Sequence, residues 1–350
     1  MKSMPQRFAL KHALFACLFW LAPSPTLAYD GPIVDAHKHW AEGMNVDDVR
    51  LRAKNNNVTR FVIFPRHFGR DGITEEVADR LAREHGDIFW VLIGLQKSEL
   101  IGIAVRGSSL WDWHHPPSEW KSFLAWARDE LLSGRRHGLG ELTAKHYAYT
   151  QGLGAERDLP LDSVIFNDLL RLSAETKRPF VLHAEAEKHV MAALEKQLTE
   201  VPGAILIWAH ACGRTAPGEA RRLLRRFPNL HCDLANMTDT GQYGSLWPRA
   251  GSWTYQFEKA GQIIPEWKAV VLEFPGRFVL GMDNNEQKGW VNGGWNRRLN
   301  RFRSLLDQLP ASVASALAHE NAVRLFGPTF TPDSTPLPFQ TDTNGTQAGH

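Results

Sequence analysis

The chain has 350 residues, with 40 Lys or Arg against 38 Asp or Glu, so its formal net charge at pH 7 is +2. So balanced a charge gives no electrostatic reason to expect a nucleic acid or an anionic membrane surface as a partner. A chain of this length buries enough surface to fold without a dense set of disulfides, and it contains only three cysteines.

The first 28 residues have the pattern of a cleaved secretory signal peptide. Lys2, Arg7 and Lys11 form a basic segment, and the apolar run that follows, 13–22, is too short to span a bilayer. The small residues before Ala28 suit a signal peptidase, and cleavage there would leave 37 basic and 38 acidic residues. We therefore expect a periplasmic or secreted protein with no membrane attachment after cleavage.

From Gly31 onwards, short apolar runs alternate with amphipathic helical patterns. Each run is rich in Val, Ile, Leu or Phe, which is typical of strands buried on both faces of a parallel sheet. The predicted strands are 32–35, 60–64, 88–95, 138–142, 180–183, 204–210, 230–234 and 277–282, and the helical patterns include 74–84, 120–132, 161–176, 188–200 and 218–226. Eight strands separated by helices predict an α/β fold of the (β/α)8 TIM-barrel class, forming one domain over residues 29–327.

An open, doubly wound sheet would show the same alternation, but it usually carries a glycine-rich phosphate loop after its first strand. Here the first strand is followed by His37-Lys38-His39. The connections 97–117, 143–160 and 236–254 are long and rich in aromatic residues, which either pack the loops or line a substrate site. We expect C-terminal helices to close the barrel, with His319 on one of them and without a chemical role. We expect the tail, 328–350, to be disordered.

Ionisable residues stand at the ends of five predicted strands, where an apolar residue is the norm. His37 and His39 are two residues apart, so they should point the same way, and Glu141, His183, His210 and Asp283 each follow an apolar run. The carboxyl ends of barrel strands converge, and buried unpaired charges are costly unless a cation satisfies them. The coincidence predicts a metal centre.

These segments resemble the amidohydrolase superfamily, and specifically the branch called amidohydrolase-related or amidohydrolase 2. The similarity runs from Ile33 to Gly327 and rests on Asp-Ala-His-Lys-His, Gly-Leu-Gly-Glu141, His183, Trp-Ala-His210-Ala-Cys-Gly-Arg and Gly-Met-Asp283. It implies that His37, His39, His183 and Asp283 are metal ligands. With one ion, His210 would contact the substrate or the attacking water; with two, Glu141 would bridge them, and His183 with His210 would hold the second. The implied cofactor is a divalent metal, zinc or manganese.

The resemblance implies an enzyme that activates water for attack on a small-molecule amide, ester, lactone or phosphoester. The alternative is a metal-dependent, non-oxidative decarboxylase of the same superfamily. A barrel that binds a ligand without catalysing a reaction is the third and least favoured function. Asp283 would be the general base and His210 a second catalytic group. Arg66, His146, Arg214 and Asn284 are the predicted substrate-binding residues, because guanidinium groups recognise carboxylates or phosphates and the other two lie at the rim. The sequence does not specify an oligomeric state.

Two cysteines remain after the leader, Cys212 and Cys232. The predicted strands place them at opposite ends of neighbouring strands, too far apart to be bridged. We therefore expect two buried free thiols.

Overall fold

The computed structural model describes residues 29–40, 43–65, 74–95, 111–147, 156–238, 256–284 and 290–327. The signal peptide and the tail expected from the sequence lie outside these residues. Among the helices of the described part, none has the length and apolarity needed to cross a bilayer.

Strands and helices alternate along the chain, and their bounds are as follows. The elements are β1 (Ile33–Trp40), α1 (Val46–Asn55), β2 (Val58–Pro65), α2 (Glu75–Glu84), β3 (Phe89–Val91), α3 (Ser118–Leu132), β4 (Leu139–His146), β5 (Arg157–Asp158), α4 (Val164–Thr176), β6 (Phe180–Ala184), α5 (Lys188–Glu200), β7 (Leu206–Trp208), α6 (Pro217–Arg226), β8 (Leu230–Asp233), β9 (Glu258–Lys259), β10 (Gln262–Ile263), α7 (Pro265–Glu273), β11 (Phe278–Val279), α8 (Gly294–Leu306), α9 (Ala311–Ser315) and α10 (Asn321–Phe326). A 3-10 turn (Pro275–Arg277) precedes β11, and a π-helical segment (Ala316–Glu320) precedes α10.

The helices begin where the sequence offers a side-chain acceptor or a proline. Asn45, Thr74 and Ser163 each accept a hydrogen bond from a free main-chain N–H in the first turn of α1, α2 and α4. Pro217 and Pro265 occupy the first positions of α6 and α7, where their missing N–H groups are not needed. These local signals explain why the predicted and observed helix bounds agree closely.

In the described residues, nine strands form two mainly parallel sheets that are linked to each other, and β9 and β10 form a separate antiparallel pair. One has the order β1-β2-β3; the other has the order β11-β8-β7-β6-β4-β5, with β5 antiparallel to β4. At one seam, Ile93 pairs with Leu139 in an isolated parallel bridge, and at the other Lys38 pairs in the same way with Asn284. The main-chain N–H of Ala36 also donates to Leu280 O at 2.8 Å. The predicted α/β fold with parallel strands is confirmed.

Strand bounds differ from the prediction at the ends that carry ionisable residues. β1 continues to Trp40, so His37 and His39 lie within a strand rather than after it, and β4 continues to His146, so Glu141 lies near the start of its strand rather than at the end. The connection predicted over 143–160 is therefore partly wrong, because its first residues extend β4 and pair with β5. β7 ends at Trp208, two residues before His210. Polar side chains hid these extensions from a search for apolar runs.

Both faces of the strands are buried. Phe61 and Ile63 of β2 belong to the large core beneath the helices, whereas Val62 and Phe64 belong to a second apolar cluster. This second cluster also contains Val34, Ala36, Trp90, Leu92, Val181, Ile205, Ile207, Val279, Ala322, Leu325 and Phe326. Alternate residues thus face opposite cores, which is why the strands read as continuous apolar runs.

The C-terminal helix α10 covers the ends at which the strands begin. Asn321 donates to Phe278 O at the start of β11, and the Arg178 guanidinium, just before β6, donates to Gly327 O at 2.7 Å. Nδ1 of His137, just before β4, lies 2.7 Å from Phe326 O. His319, assigned to this region without a chemical role, lies on the π-helical segment. The opposite ends of the strands are left for the polar residues.

The prediction of two free thiols is wrong, because Cys212 and Cys232 form a disulfide with their Cα atoms 5.0 Å apart. A regular strand up to His210 would have carried Cys212 away from β8. Instead β7 ends at Trp208, whose register partner on β8 is Cys232. The chain then turns back, so that Cys212 returns to the side of β8. The error came from the strand bound and not from the cysteine spacing.

Replacing both cysteines by alanine should lower the free energy of unfolding by about 3 kcal/mol, because the bond closes a loop across a sequence separation of 20 residues. Urea denaturation of the variant and of wild type would measure the difference. Wild type treated with a strong reductant before denaturation is the control and should match the variant. Equal unfolding free energies for oxidised wild type and variant would contradict the prediction.

Candidate metal centre

Six ionisable side chains from five strand ends converge on one small volume. His37 and His39 come from β1, Glu141 from β4 and His183 from β6; His210 follows β7 and Asp283 follows β11. Five of them form two groups with metal-ligand chemistry, His37-His39-Glu141 and Glu141-His183-His210, and within each the donor atoms lie within 4.8 Å of one another. The sequence had named all six.

Glu141 stands between the two groups and belongs to both. Its Oε1 lies 3.7 Å from His37 Nε2, 3.0 Å from His183 Nδ1 and 3.8 Å from His210 Nε2. Its Oε2 lies 3.4 Å from His39 Nε2. Oε1 therefore faces histidines of both groups and Oε2 faces His39, so this one carboxylate could serve as a ligand in either group.

Asp283 completes the group on the β1 side. Its Oδ1 lies 3.7 Å from His37 Nε2 and 3.4 Å from His39 Nε2. The residue has a φ of +43°, and its main-chain N–H donates to His37 O at 2.9 Å. The carboxylate is therefore fixed beside both β1 histidines by the main chain as well as by its side chain.

The spacing of these donors fits a divalent cation. Ligands about 2.0–2.3 Å from a tetrahedral metal lie about 3.3–3.7 Å from one another, and the His37, His39 and Asp283 distances fall in that range. His37 Nε2 is buried and has no hydrogen-bond partner among the described residues. A cation bound between this ring nitrogen and the two nearby carboxylates would give all three groups a partner.

The orientation of the β1 histidines depends on a break in strand alternation. Val34 and Ala36 share a core with Phe64, so strict alternation would turn His37 to the other face. The β1–β2 register shifts between Asp35 and Lys38, and the rings of His37 and His39 lie 4.5 and 5.6 Å from the Phe64 ring. The irregularity directs both histidines to the same side.

Two glycines permit the close packing around the centre. Gly140 has a φ of +124°, and a side chain there would meet Val181 O at 2.6 Å, so only glycine allows the turn of β4 that presents Glu141. A Cβ at Gly281 would lie 2.3 Å from His37 Cβ. The glycines in Gly-Leu-Gly-Glu and Gly-Met-Asp therefore make room for the neighbouring functional residues.

His210 lies in a left-handed turn, which is unusual for residues other than glycine. His210, Ala211, Cys212, Gly213 and Arg214 all have positive φ, between 51° and 71°. Each non-glycine residue costs about 1–2 kcal/mol in this conformation. The turn is stabilised by the disulfide at Cys212 and by the N–H of Ala186, which donates to Gly213 O at 3.0 Å.

Sequence analysis missed a seventh polar residue at the centre, Asp233 at the end of β8. Its Oδ2 lies 2.8 Å from His37 Nδ1, and its Oδ1 accepts the main-chain N–H of His210 at 2.8 Å. The signal was present, because Asp233 ends the run Leu-His-Cys-Asp. It was overlooked because the predicted strand was extended past it to Leu234.

Mutual charge interactions hold the carboxylates ionised. Burial by itself would raise the pKa of Glu141, but the charges of His37 and His183 and the hydrogen bond from His183 hold that pKa well below its ordinary value. Burial would likewise raise the pKa of Asp283, but the hydrogen bond from His39 and the charges of His37 and His210 lower it. Both carboxylates are therefore available as ligands at neutral pH.

The surroundings raise the pKa of two histidines of the centre and lower that of a third. Burial opposes the charged form of His37, but Glu141 and Asp233 outweigh it and raise the pKa of His37 well above its usual value. Burial likewise opposes the charged form of His183, but the charge of Glu141 and its hydrogen bond outweigh it and raise the pKa of His183. Burial, followed by Arg214 and His183, instead lowers the pKa of His210 far below the usual value and keeps its ring neutral. A cation bound by His37 would have to displace its proton.

The predicted substrate-binding residues lie around this centre in different settings. The Arg214 guanidinium donates to the buried Glu185, whose Oε1 is 3.5 Å from His183 Nε2. The His146 ring lies 5.1 Å from the His183 ring, and burial lowers the pKa of His146 to about 2. Asn284 is buried in the bridge with Lys38, and Arg66 lies outside the described residues. Their binding roles stay predictions.

Substituting Gly281 by alanine should weaken zinc binding about tenfold or more, because the new Cβ would push His37 out of place. Competition with a chromogenic chelator would measure the affinity. Gly218→Ala is the matched control, since an added Cβ there meets nothing within 4 Å. Equal zinc affinity in both variants would show that His37 does not depend on this packing.

Comparison with protein-family models and with curated proteins gives no match. Solved structures do match. An uncharacterised TIM-barrel protein from Bordetella bronchiseptica has a TM-score of 0.51 at 12% identity, over 80% of this chain and 82% of that one. A proposed amidohydrolase from Staphylococcus aureus has a TM-score of 0.50 at 11% identity, over 85% and 99%. A 2,6-dihydroxybenzoate decarboxylase from Rhizobium has a TM-score of 0.49 at 12% identity, over 86% and 99%. At these identities, the matches with TM-scores of 0.51 and 0.50 show a shared fold, in agreement with the predicted α/β class.

Proposed function

We propose that this protein is a metal-dependent hydrolase of the amidohydrolase type, built on a closed (β/α)8 barrel and acting on a small-molecule amide, ester, lactone or phosphoester. The observation that carries the proposal is the position of Glu141 between two histidine groups, with its oxygens 3.0–3.8 Å from four ring nitrogens. Two cations sharing a carboxylate suit the activation of water better than the binding of a substrate carboxylate. Zinc is the metal we propose, with manganese as its substitute.

The cation would supply Lewis-acid chemistry, making water more acidic and polarising the substrate oxygen. In a centre with one ion, His37, His39, His183 and Asp283 would hold it. In a centre with two ions, Glu141 would be shared, and His183 with His210 would hold the second ion. Asp283 would take the proton of the attacking water and pass it to the leaving group. Its lowered pKa keeps the carboxylate ionised and able to accept.

His210 has a second role in a centre with one ion. Its Nδ1 donates to Ala235 O at 2.8 Å, so Nε2 faces the centre, 3.1 Å from His183 Nδ1. The low pKa of this ring keeps it neutral. Its free nitrogen would then contact the substrate or the attacking water. Arg66, His146, Arg214 and Asn284 would bind the rest of the substrate.

We also propose that the protein works in an oxidising compartment, the periplasm or the extracellular space, after cleavage of the leader at Ala28. The buried disulfide between Cys212 and Cys232 supports this proposal, because structural disulfides are rare in reducing compartments.

Metal content is the first test of the proposed function. Untagged protein analysed by elemental mass spectrometry should hold close to two ions per chain, and Glu141→Ala should hold one or fewer, because it removes the shared ligand. Glu130→Ala, a buried glutamate on α3 paired with Arg135, is the control and should keep both. No metal after reconstitution with zinc or manganese would overturn the catalytic proposal. One ion, unaffected by the loss of Glu141, would favour a decarboxylase.

Asp283→Asn should keep its metal and lose turnover by about two to four orders of magnitude, since the amide cannot accept the proton. Substrates would be sought among lactones, amides, phosphoesters and aromatic acids. Asp168→Asn is the control, because Asp168 only accepts a hydrogen bond from Trp120, away from the centre. Full turnover by Asp283→Asn would refute the role of Asp283, and release of carbon dioxide from an acid would refute hydrolysis.

A further inference from the structure

One buried carboxylate contacts two histidines of the centre without facing the proposed cation. Asp233 is 1% exposed, and its Oδ2 lies 2.8 Å from His37 Nδ1. Its Oδ1 accepts the main-chain N–H groups of His210 at 2.8 Å and Ala235 at 3.0 Å. We propose that Asp233 is a positioning residue, which fixes the tautomer of His37 and the place of His210. This inference rests on the proposed metal centre.

The tautomer of His37 follows from the partner of each ring nitrogen. A carboxylate can only accept, so Nδ1 must carry a proton to bond Asp233. Nε2, which lies 3.7 Å from both Glu141 Oε1 and Asp283 Oδ1, is then the nitrogen that can bind a cation. Hydrogen bonds from a ligand histidine to a carboxylate commonly fix ring orientation and raise ligand basicity. Asp233 has the geometry for that role.

His210 is tied to the same carboxylate through the main chain. Its N–H bonds Asp233 Oδ1, and its ring Nδ1 donates to Ala235 O, while the N–H of Ala235 bonds Asp233 Oδ1 as well. Because the carbonyl fixes Nδ1 as a donor, Nε2 is left unprotonated and directed at the centre. Asp233 therefore fixes the tautomer of His37 directly, and it positions both His210 and the Ala235 carbonyl that orients the His210 ring.

The disulfide stabilises this arrangement covalently. Cys232 is the residue before Asp233, and Cys212 is two residues after His210. The bond keeps the left-handed turn against the end of β8, where the Asp233 carboxylate can reach the His210 N–H. Without it, the unfavourable backbone of the turn would depend on hydrogen bonds alone.

A purely structural acceptor and a positioning residue predict different results for Asp233→Asn. The amide oxygen can still accept the N–H groups of His210 and Ala235, so a structural role would survive. The amide NH₂ group would face His37 Nδ1 and donate to it, which moves the ring proton to Nε2 and blocks the ligand position. Only the positioning role predicts loss of metal binding in a folded variant.

The test measures the zinc affinity of Asp233→Asn and wild type by chelator competition, and the absorption spectrum of each with cobalt(II). We expect zinc to bind about 10–100-fold more weakly and the cobalt bands to change, since one ligand is lost. Glu258→Gln is the control, because it removes another fully buried carboxylate, paired with Arg301, away from the centre. This variant should bind zinc as wild type does.

Affinity within about twofold of wild type and an unchanged cobalt spectrum would overturn the inference. If wild type itself bound no zinc, the proposed function would fail instead. Should Asp233→Asn not fold, the zinc-loaded wild type labelled with ¹⁵N-histidine gives a second measurement. His37, identified by its loss in His37→Asn, should carry its proton on Nδ1, and a proton on Nε2 would refute the proposal.

Discussion

The structure depends on one electrostatic constraint, the burial of several ionisable side chains at a single place. Isolated charges in a protein interior are costly, and a group that finds no partner changes its protonation state instead. Here Glu141 lies among four histidines and Asp283 beside two, so each charge has an opposite partner. The other strand residues are mostly apolar on both faces of the sheets. The fold concentrates its polarity at one end.

Regular strands alone would not bring these ionisable side chains together. Four of them lie at or beside a place where the backbone departs from regular strand geometry. β1 shifts register beside His37, Gly140 has a positive φ before Glu141, His210 lies in the left-handed turn, and Asp283 has a positive φ. Strained backbone at functional sites persists when its surroundings over-determine it. The packing of Phe64 against His37 and His39 and the disulfide beside His210 are the surroundings that do so here.

Sequence analysis predicted the structural features that depend on local patterns. It missed the features that depend on contacts between distant segments of the chain. Amphipathic patterns gave the helices, apolar runs gave the parallel strands, and polar residues at the ends of those runs gave the six side chains that converge. The left-handed turn is not visible in a pattern, because four of its five residues are not glycine. That turn alone brings Cys212 to Cys232 and Asp233 to His210, so the disulfide and the positioning role of Asp233 were missed together. The glycine before Glu141 was the one local sign of an irregular strand.

The charges of the centre also determine how a cation would bind to it. The raised pKa of His37 means that this ring keeps a proton at neutral pH while it lies between Glu141 and Asp233. A cation must displace that proton, so binding releases it, and affinity falls as the pH falls. The proton on Nε2 would leave, whereas the one on Nδ1 remains because Asp233 accepts it. The protonated ring and a cation would therefore each bring positive charge to the same place, beside Glu141 Oε1 and Asp283 Oδ1, which both lie 3.7 Å from His37 Nε2.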